Sequence, residues 1–106
     1  MSFRYMRIIV FFDLPVITVD ERREYRKFRK YLISNGFMML QESVYCKIEL
    51  NAVSMQSTVN NIRLNKPPDG LVQVLKITEK QFAKMEFIVG NDNYDIINSD
   101  AKLVVL

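Results

Sequence analysis

The chain has 106 residues, near the usual size of one domain, and its 49% apolar and 25% charged residues match a single soluble core. The formal net charge is +3, with no histidine and one cysteine, Cys46. Such a composition excludes an internal disulfide, a structural zinc site built from Cys and His, and chemistry that rests on an imidazole base.

At the N-terminus, "MSFRYMR" lacks a long apolar region followed by a small-residue cleavage site, so no secretory signal and a reducing, cytoplasmic setting are expected. Residues 4–12 read as a strand. Met6, Ile8, Val10 and Phe12 form a wholly apolar side that belongs on a core, while Tyr5, Arg7, Ile9 and Phe11 form a half-apolar second side. The longest unbroken apolar run, Ile8 to Phe12, is far too short to span a bilayer, so no membrane partner is expected. Asp13 stands at the strand's tip, before Leu14-Pro15. Three roles are open to it: a turn former bonding its own backbone, a helix cap, or half of a metal site. The pattern alone favours the turn, because Asx-turns are common.

A helix follows, opened by a capping box of Thr18 and Glu21 and stopped by Gly36. Tyr25, Phe28 and Leu32 share one face. Arg23, Arg26, Lys27 and Lys30 gather on the other, flanked by Arg22 and Arg29. Residues 1–30 hold eight of the fifteen Lys and Arg against four acids, a basic third that points to nucleic acid. Cations on such an arc contact phosphates without reading sequence.

Residues 37–40 predict a short strand, joined by a hairpin at Gln41-Glu42 or by a bulge to a second one. In that second strand Val44, Cys46, Ile48 and Leu50 alternate with Ser43, Tyr45, Lys47 and Glu49, so the first set is expected to face the helices and the second the open side. Asn51 caps a helix with apolar positions Ala52, Met55, Val59 and Ile62, ended by "NKPPDG". "LVQVLKI" reads as a strand, "TEKQFAKM" as a short helix opened by Thr78, and "EFIVG" (86–90) as another strand. Residues 91–101 read as a polar loop, and "KLVVL" (102–106) as a last strand.

The order is that of an α+β, ferredoxin-like βαββαβ domain over residues 1–106, with one or two extra C-terminal strands and both helices on one face of the sheet. The second face is left bare, with Ile9 and Phe11 on it, and predicts a partner. A homodimer with sheets face to face is the simplest one. By residue parity Asp13 lies on that bare face, where a twofold supplies two carboxylates from one position.

The strand ending in "FDLP", the basic helix "ERREYRKFRKYL", the segment "QESVY" and the later "LKITEKQF" together resemble the CRISPR-associated Cas-two family. The likeness runs from residue 3 to about residue 90 and is nearest to the branch that accompanies Cas9-type (type II-A) systems. It implies a CRISPR adaptation subunit, a homodimer that binds double-stranded DNA and bridges dimers of the Cas-one integrase during spacer acquisition. It also implies a Mg2+- (or Mn2+-) dependent endonuclease activity on RNA or DNA. The family's metal-binding aspartate maps to Asp13, its Ser-Val-aromatic segment to Ser43, Val44 and Tyr45, and its partner-crossing strands to 86–90 or 102–106. The alternative is a non-catalytic ferredoxin-like dimer that binds nucleic acid or protein outside any CRISPR system.

Overall fold

The computed structural model describes residues 5–90. Strand β1 (Met6–Asp13) leads into helix α1 (Val19–Ser34), the hairpin β2 (Met38–Gln41) and β3 (Val44–Glu49), helix α2 (Ala52–Leu64), strand β4 (Leu71–Thr78) and the short helix α3 (Glu79–Ala83). The strands form one antiparallel sheet in the order β2-β3-β1-β4, with β1 hydrogen-bonded on both sides. Through β4 this is the ferredoxin-like arrangement that the element order predicts.

Local chemistry sets the helix boundaries. Thr18 accepts from the Glu21 backbone N–H at 3.0 Å while the Glu21 carboxylate accepts from the backbone N–H of Thr18 at 2.9 Å, a reciprocal cap worth on the order of 1 kcal/mol. The same device opens α2 at Asn51 and α3 at Thr78. Helix α1 stops at Asn35, and Gly36 follows at a φ of 92°.

Even-numbered residues of β1 face the helices. Ile8, Val10 and Phe12 pack with Phe28 and Leu32 of α1 and with Met55, Val59 and Ile62 of α2. An aromatic cluster ties β1 to both neighbours: Phe12 lies edge-on to Phe28 at 5.4 Å between ring centres and stacked on Tyr45 at 5.6 Å. Each such pair adds roughly 0.5–1.5 kcal/mol beyond its buried area.

Two expectations are corrected here. Residues 86–90 form no strand, and Ile88 and Val89 are exposed. A strand persists only where a neighbour pairs its backbone groups, and this segment joins neither edge of the sheet. The hairpin between β2 and β3 turns at Glu42-Ser43 rather than at Gln41-Glu42, and its register also shifts between Met39 and Gln41, so it combines a turn with an irregularity. The loop expected over 91–101 and the strand over 102–106 lie outside the described residues.

Candidate functional site

Strand β1 stays regular to its last residue, where Asp13 is paired with Leu71 of β4. Asp13 therefore falls on the side of Phe11 and Ile9, away from the helices, and is exposed. Among the described residues its carboxylate makes no hydrogen bond and no ion pair. The helix cap is Thr18, and the turn after β1 is shaped without the Asp13 side chain. Two of the three roles open to this aspartate are thus unfilled, and its charge is available to a ligand.

Beside it lies a shallow recess of about 180 Å3, lined by Phe11, Ser43, Val44, Leu71 and Gln73 as well as Asp13. Phe12 anchors the floor by donating its backbone N–H to the Ser43 carbonyl at 3.1 Å. The walls are apolar, and Ser43 and Gln73 supply the neutral polar groups. Gln73 sits directly across from Phe11. It escapes sequence reading because an alternating strand offers a glutamine as an ordinary solvent-facing residue.

Tyr45 is elsewhere. The register pairs it with Val10, so it points into the helix-side core and is fully buried. Its hydroxyl accepts from Arg29 Nε at 2.7 Å. Burial pushes the phenol up and Arg29 only partly offsets that, so Tyr45 stays neutral, on the face of the sheet opposite to Asp13. The expected orientation of β3 is reversed throughout: Val44, Cys46 and Ile48 pair with Phe11, Ile9 and Arg7 on the open face. The polar residues turned toward the helices are satisfied there. The buried Glu49 accepts from Thr58 Oγ1 at 2.5 Å and lies 3.7 Å from Lys47 Nζ, while Lys47 also sits over the Phe37 ring.

The open face is not uniformly bare. Ile9, expected to be exposed, is only 5% accessible, closed in between Cys46 and Leu75. At the far end Arg7 holds the Glu79 carboxylate through two hydrogen bonds of 2.9 and 2.6 Å and lies 4.0 Å from the centre of the Phe82 ring, so α3 covers that end. Elsewhere the face is open, with Phe11, Met38, Leu71 and Leu75 exposed, and Ile48 exposed as well on the β3 side of Arg7. An exposed apolar area of this extent, continuous across four strands, marks an interaction surface.

On α1, Arg26, Lys27 and Lys30 are exposed and have no ionic or hydrogen-bond partner among the described residues. Arg23 differs, since its guanidinium is 2.6 Å from Asp20. Arg22 caps the preceding loop by donating to the Val16 and Ile17 carbonyls, and Arg29 is engaged with Tyr45. The three unpaired cations form one stripe separate from the open face.

The recess offers one carboxylate per chain, and no group of three or more His, Cys, Asp or Glu that could hold a metal occurs among the described residues. A hard divalent cation such as Mg2+ is commonly held by one or two carboxylates, the rest of its shell being water and phosphate oxygen. An exposed Asp13 beside Ser43, without an ionic or hydrogen-bond partner among the described residues, has the chemistry of one such ligand.

Comparison with known proteins adds the following. The family described as CRISPR associated protein Cas2 matches residues 6–85. A protein of Treponema denticola named CRISPR-associated endoribonuclease Cas2 is 57% identical over 101 residues, covering 95% of this chain and 100% of its own. Proteins of the same name from Streptococcus mutans and Lacticaseibacillus rhamnosus are 46% and 44% identical, each aligning to 95% of this chain and to 93% and 100% of their own lengths.

Proposed function

The chain belongs to the CRISPR-associated Cas2 family, matched over residues 6–85, and on that premise we propose that it is a metal-dependent endonuclease whose site is built around Asp13. The observation that carries this reading is the Asp13 carboxylate, without a partner among the described residues, at the mouth of an apolar recess. Asp13, with its counterpart from a second copy, would hold the Mg2+ or Mn2+. When bound, the cation supplies Lewis-acid polarisation of the phosphorus centre and an activated water. Phe11, Val44 and Leu71 exclude bulk water from the recess, and Ser43 and Gln73 orient phosphate or sugar oxygens by hydrogen bonding. With no histidine in the chain, side-chain base catalysis near neutrality falls to carboxylates. RNA is the first substrate to test, because the relatives carry the name endoribonuclease. Purified protein should cut single-stranded RNA or duplex DNA in Mg2+, stop when a chelator is added, and resume when Mg2+ is restored. Cleavage indifferent to chelator would overturn the metal reading.

The same dimer is proposed to serve in CRISPR adaptation, holding duplex DNA between dimers of the Cas-one integrase in the cytoplasm. The observation favouring this role is the stripe of Arg26, Lys27 and Lys30, charges without ionic or hydrogen-bond partners among the described residues. A twofold doubles the stripe, and residues 86–90 are available to pair with the partner's sheet. Reversing all three cations to glutamate should weaken binding of a short duplex by about a hundredfold and flatten its salt dependence, since each lost phosphate contact removes roughly 0.9 from the slope of log K against log salt. A salt titration by fluorescence anisotropy measures both. Parent-like affinity and slope in the triple variant would remove the stripe from the DNA interface.

A further inference from the structure

The peptide that carries Asp13 lies against the residue that precedes β4, next to the Asp13–Leu71 pair. Gly70 opens β4 with a φ of +97°, a conformation in which L side chains are strained. Its own N–H donates to the Asp69 carboxylate at 2.7 Å, closing the turn of "PPDG". A Cβ at this position would stand 2.8 Å from the Asp13 carbonyl oxygen and 2.8 Å from Leu14 Cδ2. Neither contact can yield freely. The first is backbone, and the second belongs to a residue only 7% exposed and packed in the core.

We propose that Gly70 is a positioning residue for the metal-binding carboxylate: its missing side chain lets β4 seat directly on the Asp13 peptide and fixes where Asp13 points. The inference rests on the metal-site reading of Asp13 given above. Ordinary van der Waals contact begins at 3.4 Å, so a side chain at residue 70 must push the Asp13 carbonyl by about 0.6 Å. Catalytic and metal-binding groups have to be held to within about 0.5 Å, and a misplacement near 1 Å costs about a hundredfold. In a dimer with two such carboxylates on one ion, the displacement enters twice. Sequence reading takes this glycine only as the end of a helix-breaking run, because the close approach comes from β1 and is invisible locally.

Gly36 provides the control. Its φ is +92°, so alanine there meets the same backbone penalty, but the nearest atom to its Cβ would be Lys47 Cε at 3.4 Å, the end of a flexible side chain. The experiment compares parent, Gly70→Ala, Gly70→Asn, Gly36→Ala and Asp13→Asn as full chains, by thermal melting and by Mn2+ titration followed by electron paramagnetic resonance without nucleic acid. Asparagine accepts positive φ more readily than alanine while carrying the same Cβ, so Gly70→Asn decides the matter should Gly70→Ala fail to fold. The expected result is a loss of Mn2+ affinity of about tenfold in both Gly70 variants. Gly36→Ala should melt lower than the parent yet bind Mn2+ as the parent does. If Asp13→Asn loses Mn2+ while a folded Gly70 variant stays within about twofold of Gly36→Ala, the positioning role is overturned and the metal site stands. If Asp13→Asn binds Mn2+ like the parent, the metal reading fails and the inference goes with it.

Discussion

Asp13→Asn is expected to lower metal-dependent cleavage by roughly a hundredfold or more, while leaving the fold, the dimer and duplex binding in place. The substitution keeps shape and removes charge, and the charge is what a hard cation requires of this residue. Because the Asp13 side chain makes no hydrogen bond or ion pair among the described residues, little else depends on it. Exposed substitutions of this sort usually shift stability by no more than about 0.5 kcal/mol, so the melting temperature should scarcely move. Duplex affinity should hold or rise slightly, since one negative charge is lost near a polyanion. The measurements are cleavage rates across a Mg2+ titration, a melting curve and an anisotropy titration on the same preparation. Parent-like cleavage by a folded Asp13→Asn protein would remove Asp13 from the chemistry. A protein that no longer folds would show instead that the aspartate serves the β1–α1 turn.

The elements that the sequence reveals are those whose signals are local. Thr18 and Glu21 satisfy each other's backbone within four residues, so the start of α1 can be read without knowing what it packs against. Met55, Val59 and Ile62 mark the buried stripe of α2 by spacing alone, and all three are buried. The even-numbered side of β1 is likewise unambiguous, because only one of its sides is wholly apolar.

Strand β3 shows where that logic fails. Alternation identifies two faces, but assigning one to the core assumes that the more apolar face is the one the protomer buries. Here the reverse holds. Tyr45, Lys47 and Glu49 lie under the helices because Arg29 and Thr58 are there to satisfy Tyr45 and Glu49, and because Lys47 pairs with Glu49. Val44, Cys46 and Ile48 occupy the open side with Phe11 and Leu75. A strand that is apolar toward the outside and polar but paired toward the inside is what a sheet destined for a second interface requires. The mistaken assignment thus supports a covered outer face. Gly70 and Gln73 were unreadable for another reason: each matters through its placement next to Asp13 or Phe11, across a pairing that no local pattern announces.

The open face carries the second large expectation. Replacing Ile48 and Leu75 together by glutamate should convert a homodimer into a monomer of 12.5 kDa. Ile48 is 51% and Leu75 47% exposed in the protomer, so neither substitution takes much from its core. At a face-to-face interface the twofold would bring four carboxylates out of water, and Arg7, the cation across from Ile48, is already held by Glu79. Each uncompensated buried charge costs several kcal/mol, more than a standard interface has to spare. Light scattering coupled to size exclusion, over a range of concentrations and salt, reads the outcome directly, and circular dichroism checks that the monomer remains folded. Cleavage should fall with the dimer, because separated protomers each keep a single Asp13. That loss differs in kind from the loss in Asp13→Asn, where the dimer persists and the carboxylates are gone. A double variant that stays dimeric at low micromolar concentration would place the interface elsewhere on the molecule. A folded monomer that cuts at the parental rate would show that one carboxylate suffices, and the twofold would then serve the DNA and not the cation.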